Sequence, residues 1–194
     1  MKTLPLFAIV WLLFSLPSCS EDHQLPEYEF YIEGIVDGRL LRYPQVNTED
    51  TNISNRYFAN TQETWLQAYR SSTDYGAGHW DVRIHDTSIE TVSTPYSLPD
   101  SLGSISWFDP RVDNIIANNP TCQGIDTGCG FFLLPENSNE ITITSVQDSV
   151  IEGRFSGKMI MLGIGFSPFR DTTLFHTVRK GFFRIKYRLG EEYE

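Results

Sequence analysis

The stretch Glu140-Ile141-Thr142-Ile143-Thr144-Ser145-Val146-Gln147-Asp148-Ser149-Val150-Ile151-Glu152-Gly153-Arg154-Phe155-Ser156 decides the fold class. Ile141 and Ile143 alternate with Thr142 and Thr144. Gln147-Asp148-Ser149 is a polar break, and the chain returns with Ile151, Gly153 and Phe155 on one face and Glu152 and Arg154 on the other. Two period-two runs joined by a short turn predict an antiparallel hairpin with one buried face. Lys158 to Ile164 is almost continuously apolar, the pattern of a strand covered on both sides. Ser167 to Thr173, with Pro168, reads as a loop, and Phe182 to Leu189 alternates Phe183, Ile185, Tyr187 and Leu189 with Arg184, Lys186 and Arg188.

Outward from this segment the same period recurs. Tyr28, Phe30 and Ile32 oppose Glu27, Glu29 and Glu33, and the run ends in Asp37-Gly38. That dipeptide is a strong hairpin signal, because a type I′ turn needs positive φ at both central residues. Arg39 to Tyr43 is the expected return, stopped by Pro44, and Gln45 to Asn60 reads as a polar loop. Thr64 to Arg70 alternates Trp65, Gln67 and Tyr69 with Leu66 and Ala68; His79 to His85 alternates Trp80, Val82 and Ile84 with His79, Asp81, Arg83 and His85. They read as a second hairpin of an antiparallel sheet with one wet face.

Ser93 to Gly103 carries Pro95 and Pro99 and reads as connection, and Ile105 to Phe108 as a short strand; the loop with Cys122 and Cys129 is followed by Phe131 to Leu134 and a polar turn at Pro135 to Asn139. One short helix is expected near residues 110–117, with Asp109 as N-cap and Pro110 at the first helical position. The expectation is therefore an all-β chain: a single antiparallel β-sandwich or open barrel over residues 28–190.

The N-terminus reads differently. Lys2 precedes an apolar run from Leu4 to Phe14, the layout of a secretory signal. The run is about half the roughly 20 residues that a spanning helix needs. Leu16, Ser18 and Cys19 resemble the cleavage signal of bacterial lipoproteins. That resemblance implies a signal peptide over residues 1–18, diacylglyceryl on the Cys19 thiol, a fatty acyl chain (palmitate class) on its freed amine, and a polar, acidic linker over residues 19–27. Each buried CH₂ contributes about 0.8 kcal/mol, so two or more chains anchor stably where one does not. Ser20-Glu21-Asp22 beside the lipidated cysteine resembles the surface-export signal of Bacteroidota lipoproteins.

A second resemblance lies in the domain itself. Ile32 to Gly38, Ile141 to Val146, Val150 to Gly157 and Lys180 to Ile185 resemble the strand motifs of small uncharacterised Bacteroidota lipoproteins. The resemblance implies an all-β domain anchored in the outer membrane, facing the periplasm or the cell surface. It carries no catalytic residues.

Composition narrows the partners. Removing residues 1–18 takes away Lys2 and no acid, leaving 14 basic against 25 acidic side chains. Such a balance argues against nucleic acid, which demands a basic patch, and leaves membrane attachment to the lipid on Cys19. Cys122 and Cys129, at short spacing in an exported chain, are expected to form a disulfide.

Chemistry is sparsely signalled. No Gly-x-Ser-x-Gly, His-Glu-x-x-His or phosphate-cradling loop occurs. His23, His79, His85 and His176 are scattered and read as exposed linker, strand and loop residues. Asp109, Asp113 and Asn114, like Asn47, Glu49 and Asp50, offer oxygen ligands without a recognised calcium spacing, so they read as solvated turn residues. No metal site and no cofactor are expected. Trp65, Tyr69 and Trp107 are the candidate stacking surface for a sugar ring, weighed against the stronger tendency of large aromatics to be core. The functional expectation is a non-enzymatic envelope lipoprotein serving as a binding or assembly module, its partners being the membrane and a glycan or another envelope protein. A surface glycan-binding accessory protein is the alternative, and a hydrolase of envelope or extracellular polymer the weaker one.

Overall fold

A computed structural model of the chain describes residues 28–46, 55–71, 78–99, 102–118, 128–133, 139–164 and 169–190. The signal segment, the linker, Cys19, Cys122 and the Asn47, Glu49, Asp50 group lie outside the described residues.

The domain is all-β, one sheet of 12 strands that does not close on itself. β1 (Tyr31–Val36) and β2 (Arg39–Pro44) form the first hairpin. Its turn has Asp37 at φ 47° and Gly38 at φ 89°, as the Asp-Gly signal requires. β3 (Arg56–Phe58) occupies part of the expected polar loop. β4 (Glu63–Tyr69) pairs with β5 (His79–Ile84), β5 with β7 (Gly103–Phe108), and β7 with β8 (Gly128–Leu133). The two-residue β6 (Tyr96–Ser97) lies against β9 (Glu140–Gln147). β9 turns through Asp148 (φ 51°) and Ser149 (φ 61°) into β10.

β10 (Val150–Ile164) and β11 (Phe169–Lys186) form the spine. β10 joins the two strands read in the sequence at Val150–Ser156 and Lys158–Ile164, and β11 takes in much of the expected loop at Ser167–Thr173. One edge of β10 pairs along its length with β11. The other edge pairs first with β9 and then with β8. Gly157 (φ 146°) marks the handover, where Asn139 substitutes for a strand. Its Oδ1 accepts from Lys158 N at 2.8 Å and its Nδ2 donates to Lys158 O at 3.2 Å. A Cβ on Gly157 would lie 1.8 Å from that Oδ1.

β11 pairs with β1 on its far side, and after Tyr187 the chain reaches β12 (Arg188–Leu189), which lies parallel to β3. The sheet thus curls so that its two arms face one another. Trp80 of β5 is fully buried, with its ring 5.5 Å from that of Phe155 on β10 and 6.1 Å from that of Trp107 on β7. Gly34 on β1 packs beside it, where a Cβ would sit 2.8 Å from Val178 Cγ2 of β11 and in ordinary contact, 3.5 Å, with the Trp80 ring. The inner face of each strand supplies one continuous core, as burying the apolar set of a period-two strand requires. Leu189 departs from the expected pattern: β12 turns it outward, 63% exposed.

The helix is shorter and later than its sequence signal. α1 spans Asn114–Asn118, and Asp113 is its N-cap, its Oδ1 accepting from Ile115 N at 2.6 Å and Ile116 N at 3.2 Å. Asp109 is drawn elsewhere.

Candidate functional site

The loop between β7 and α1 places two buried carboxylates across one end of the sheet. Asp109 is fully buried and accepts from Tyr43 Oη on β2, from Arg70 Nη1 after β4 at 3.0 Å, and from Arg111 N at 2.9 Å. Burial, followed by the Asp109 carboxylate, pushes the Tyr43 phenol well above its ordinary range. The Trp107 indole N–H approaches the phenol oxygen without meeting hydrogen-bond geometry.

Asp113, buried beside it, binds His176 of β11: Asp113 Oδ2 lies 2.6 Å from Nε2. The other ring nitrogen, Nδ1, lies 2.5 Å from Asp37 Oδ2 in the β1–β2 turn. The ring packs edge-on against Phe131 and Trp107, with centroids 4.2 and 5.6 Å away. Burial works against the charged imidazole, but the hydrogen bonds to Asp113 and Asp37 outweigh it, so His176 is held above its ordinary pKa. Asp37 is held below its own: the His176 and Thr177 N bonds outweigh partial burial. An imidazole between two carboxylates satisfies both only as the doubly protonated cation. That state has no lone pair for a proton, a metal or a nucleophile's hydroxyl. The cluster is a charged clamp joining the β1–β2 turn, β11 and the α1 loop.

Asp109, Asp113 and His176 are thus not the solvated residues expected from sequence. His85 does stay near solvent, 3.4 Å from Glu63. His79 lies between Tyr69 and Phe108, each ring 5.6 Å away, and burial holds its pKa low. Among the described residues no group of three His, Cys, Asp or Glu is placed to hold a metal.

The candidate aromatics are not brought together as a stacking surface. Trp107 is 2% exposed and faces the core, so the core reading holds for it. Tyr69 is also buried, but on the opposite face of β4 from Leu66 and Ala68, covered there with Val46 and His79 and donating from its hydroxyl to Gln67 Oε1 at 3.1 Å. Trp65 faces outward, paired with Arg83, whose guanidinium lies 5.0 Å over its ring, and Phe58 packs edge-on against it at 5.5 Å. Cys129 is buried at the start of β8.

What sequence reasoning missed on the outer face is a bulge in β11. Seen from β1, the register slips between Glu33 and Ile35; seen from β10, between Phe155 and Gly157. Seen from β1 the extra residue falls at Lys180-Gly181 and seen from β10 at Arg179-Lys180, so Lys180 is common to both slips, and it sits at φ 49°. In a regular strand successive side chains alternate faces. Here both Arg179 and Lys180 are exposed. Two grooves meet at Lys180. One, about 210 Å³, is lined by Glu140, Thr142, Arg154, Ser156 and Lys180 among others; the other, about 460 Å³, by Asp37, Thr177, Arg179 and Lys180. Arg154, Arg179 and Lys180 form no ion pair among the described residues.

Compared with protein-family models, with curated proteins and with solved structures, the chain finds no match in any of the three.

Proposed function

We propose that this chain is the lipid-anchored form of an exported β domain that binds a glycan at the envelope and catalyses no reaction on it. The anchor is Cys19, the membrane is the outer membrane of a Bacteroidota-type cell as the resemblance implies, and a Cys122–Cys129 bridge secures the loop before β8. The single observation carrying the binding role is the β11 bulge: it turns two successive cations, without an ion pair among the described residues, onto an outer face lined by open grooves. Bulges re-aim side chains and gather next to functional sites. The groups best suited to acid–base chemistry, His176, Asp109 and Asp113, are meanwhile consumed by one another and by Tyr43, Arg70 and Asp37.

Two measurements test this. Mass spectrometry of the membrane-extracted protein is expected to find a tri- or diacylated Cys19 as the first residue; an unmodified residue 19 removes the anchor. A broad soluble-glycan panel against the lipid-free domain is expected to give retention that Arg154→Gln or Arg179→Gln weakens. Retention of none of the panel removes the glycan role and leaves docking to another envelope protein.

A further inference from the structure

We infer that the two grooves meeting at Lys180 form a binding site for an acidic oligosaccharide of the uronic-acid class, with Lys180 between two adjacent sugar subsites. This deepens the glycan-binding reading above and rests on it.

The backbone is the first ground. Lys180 adopts the left-handed conformation that glycine takes more easily, while a glycine stands next to it. That glycine cannot trade places. A Cβ on Gly181 would lie 2.5 Å from the Phe155 ring. The bulge therefore holds a lysine at a costly φ, and the result is a cation aimed outward beside Arg179. Strain of this kind collects where a side chain must be presented in a particular direction.

The second ground is the mixture of groups. The smaller groove offers Arg154 and Lys180 to an anion, but also the Glu140 carboxylate and the Thr142 and Ser156 hydroxyls. The larger offers Arg179 and Lys180, with the Thr177 side chain; its Asp37 is already held by His176 and the Thr177 amide. A sulfate ion has acceptors only and gains nothing from Glu140. A uronic acid has both needs: its carboxylate suits the guanidinium and ammonium groups, and its ring hydroxyls are donors for Glu140. The smaller groove falls below the roughly 300–1,000 Å³ of drug-sized pockets, so it suits one ring-sized unit. The larger adjoins it through Lys180, as a linear oligomer requires.

The third ground is contrast. The chain carries 25 acidic against 15 basic residues, so the gathering of three cations around one bulge is not what the overall charge balance gives. An acidic polymer approaching the grooves meets Arg154, Arg179 and Lys180 together, beside Glu140 and Asp37.

The test is calorimetric titration of the lipid-free protein with tetramers of galacturonate, guluronate, mannuronate and glucuronate. Fully methyl-esterified galacturonate, neutral maltotetraose and polyacrylate serve as controls. At least one oligouronate is expected to bind, with methyl esterification or Lys180→Gly weakening it about tenfold or more, the scale of one lost charge-assisted contact. Lys180→Gly also relieves the left-handed backbone, so an unchanged or raised melting point shows that the fold is intact. Glu140→Gln separates a sugar site from a plain anion patch: it weakens uronate binding in the first case and tightens it in the second. Polyacrylate binding as well as uronate, with tightening by Glu140→Gln, overturns the inference. Binding of neutral but not acidic glycans overturns it while leaving the glycan role standing. Binding of neither overturns both.

Discussion

His176 Nε2 lies 2.6 Å from Asp113 Oδ2, although 63 residues separate them in the chain. This bond ties the spine strand β11 to the loop that closes one end of the sheet. Its strength depends on the ring's proton. His176 has a folded-state pKa above its ordinary value of 6.5. Below about 6.5 the ring is protonated in folded and unfolded chains alike, and the clamp contributes fully. As the pH rises through the raised folded-state value, the folded ring loses its proton and that contribution is lost. The melting temperature is expected to hold between pH 5.5 and 6.5 and to fall above it. His176→Gln should lower it at pH 6 and flatten the fall. Equal slopes for the two proteins would show that the clamp does not titrate.

Tyr43 and Asp109 make a second long-range tie. Tyr43→Phe removes one of the donors to a fully buried carboxylate while Arg70 and the Arg111 amide remain. The expected loss is about 1–3 kcal/mol, the range for a buried group left short of a partner. Urea unfolding at pH 7 measures it. A change within experimental scatter would mean that Arg70 alone neutralises Asp109.

Gly153 faces Phe183 across the β10–β11 pair, and the ring lies over it. A Cβ there would be 2.1 Å from Phe183 Cζ and 2.7 Å from the Thr142 carbonyl oxygen. Gly153→Ala is expected to cost about 1–3 kcal/mol by overpacking, or more, because one obstacle is backbone. Pairing it with Phe183→Leu should recover part of the loss. No recovery would place the strain at Thr142.

Cys129 is buried, and a bridge to Cys122 would close an eight-residue segment. Non-reducing peptide mapping is expected to recover the two cysteines in one linked fragment. Reduction should lower stability by roughly 2–3 kcal/mol in the chain-entropy model. Two thiols titrating in the unfolded, unreduced protein would discard the bridge.

The strands were legible where one face is buried and the other wet, because alternation is then written directly in residue type. Trp80, Val82 and Ile84 against Arg83 is such a case: the three apolar residues are fully buried and Arg83 is exposed, while Asp81, on the outer face, is itself covered. The Asp37-Gly38 and Asp148-Ser149 turns were legible because their backbone demands are local. β3 hid in a polar stretch, being only three residues long. The long β11 was obscured by Asp171, Thr172 and Thr173, where the Asp171 carboxylate caps a local turn and the strand bulges. The helix cap was misplaced because Asp109 and Asp113 are both good caps by type, and only Tyr43 and Arg70 draw the first away.

The sequence by itself determined an all-β chain with one inner face and its two tight hairpins. Each rests on neighbours a few positions apart, where side-chain period, turn φ and apolar run length act. Tertiary structure alone decided the His176 clamp, the burial of Asp109 and Asp113, and the convergence of Arg154, Arg179 and Lys180. These depend on strand register. Register is set by which distant strands pair and where a bulge slips them by one residue, and such a slip turns a side chain from one face to the other.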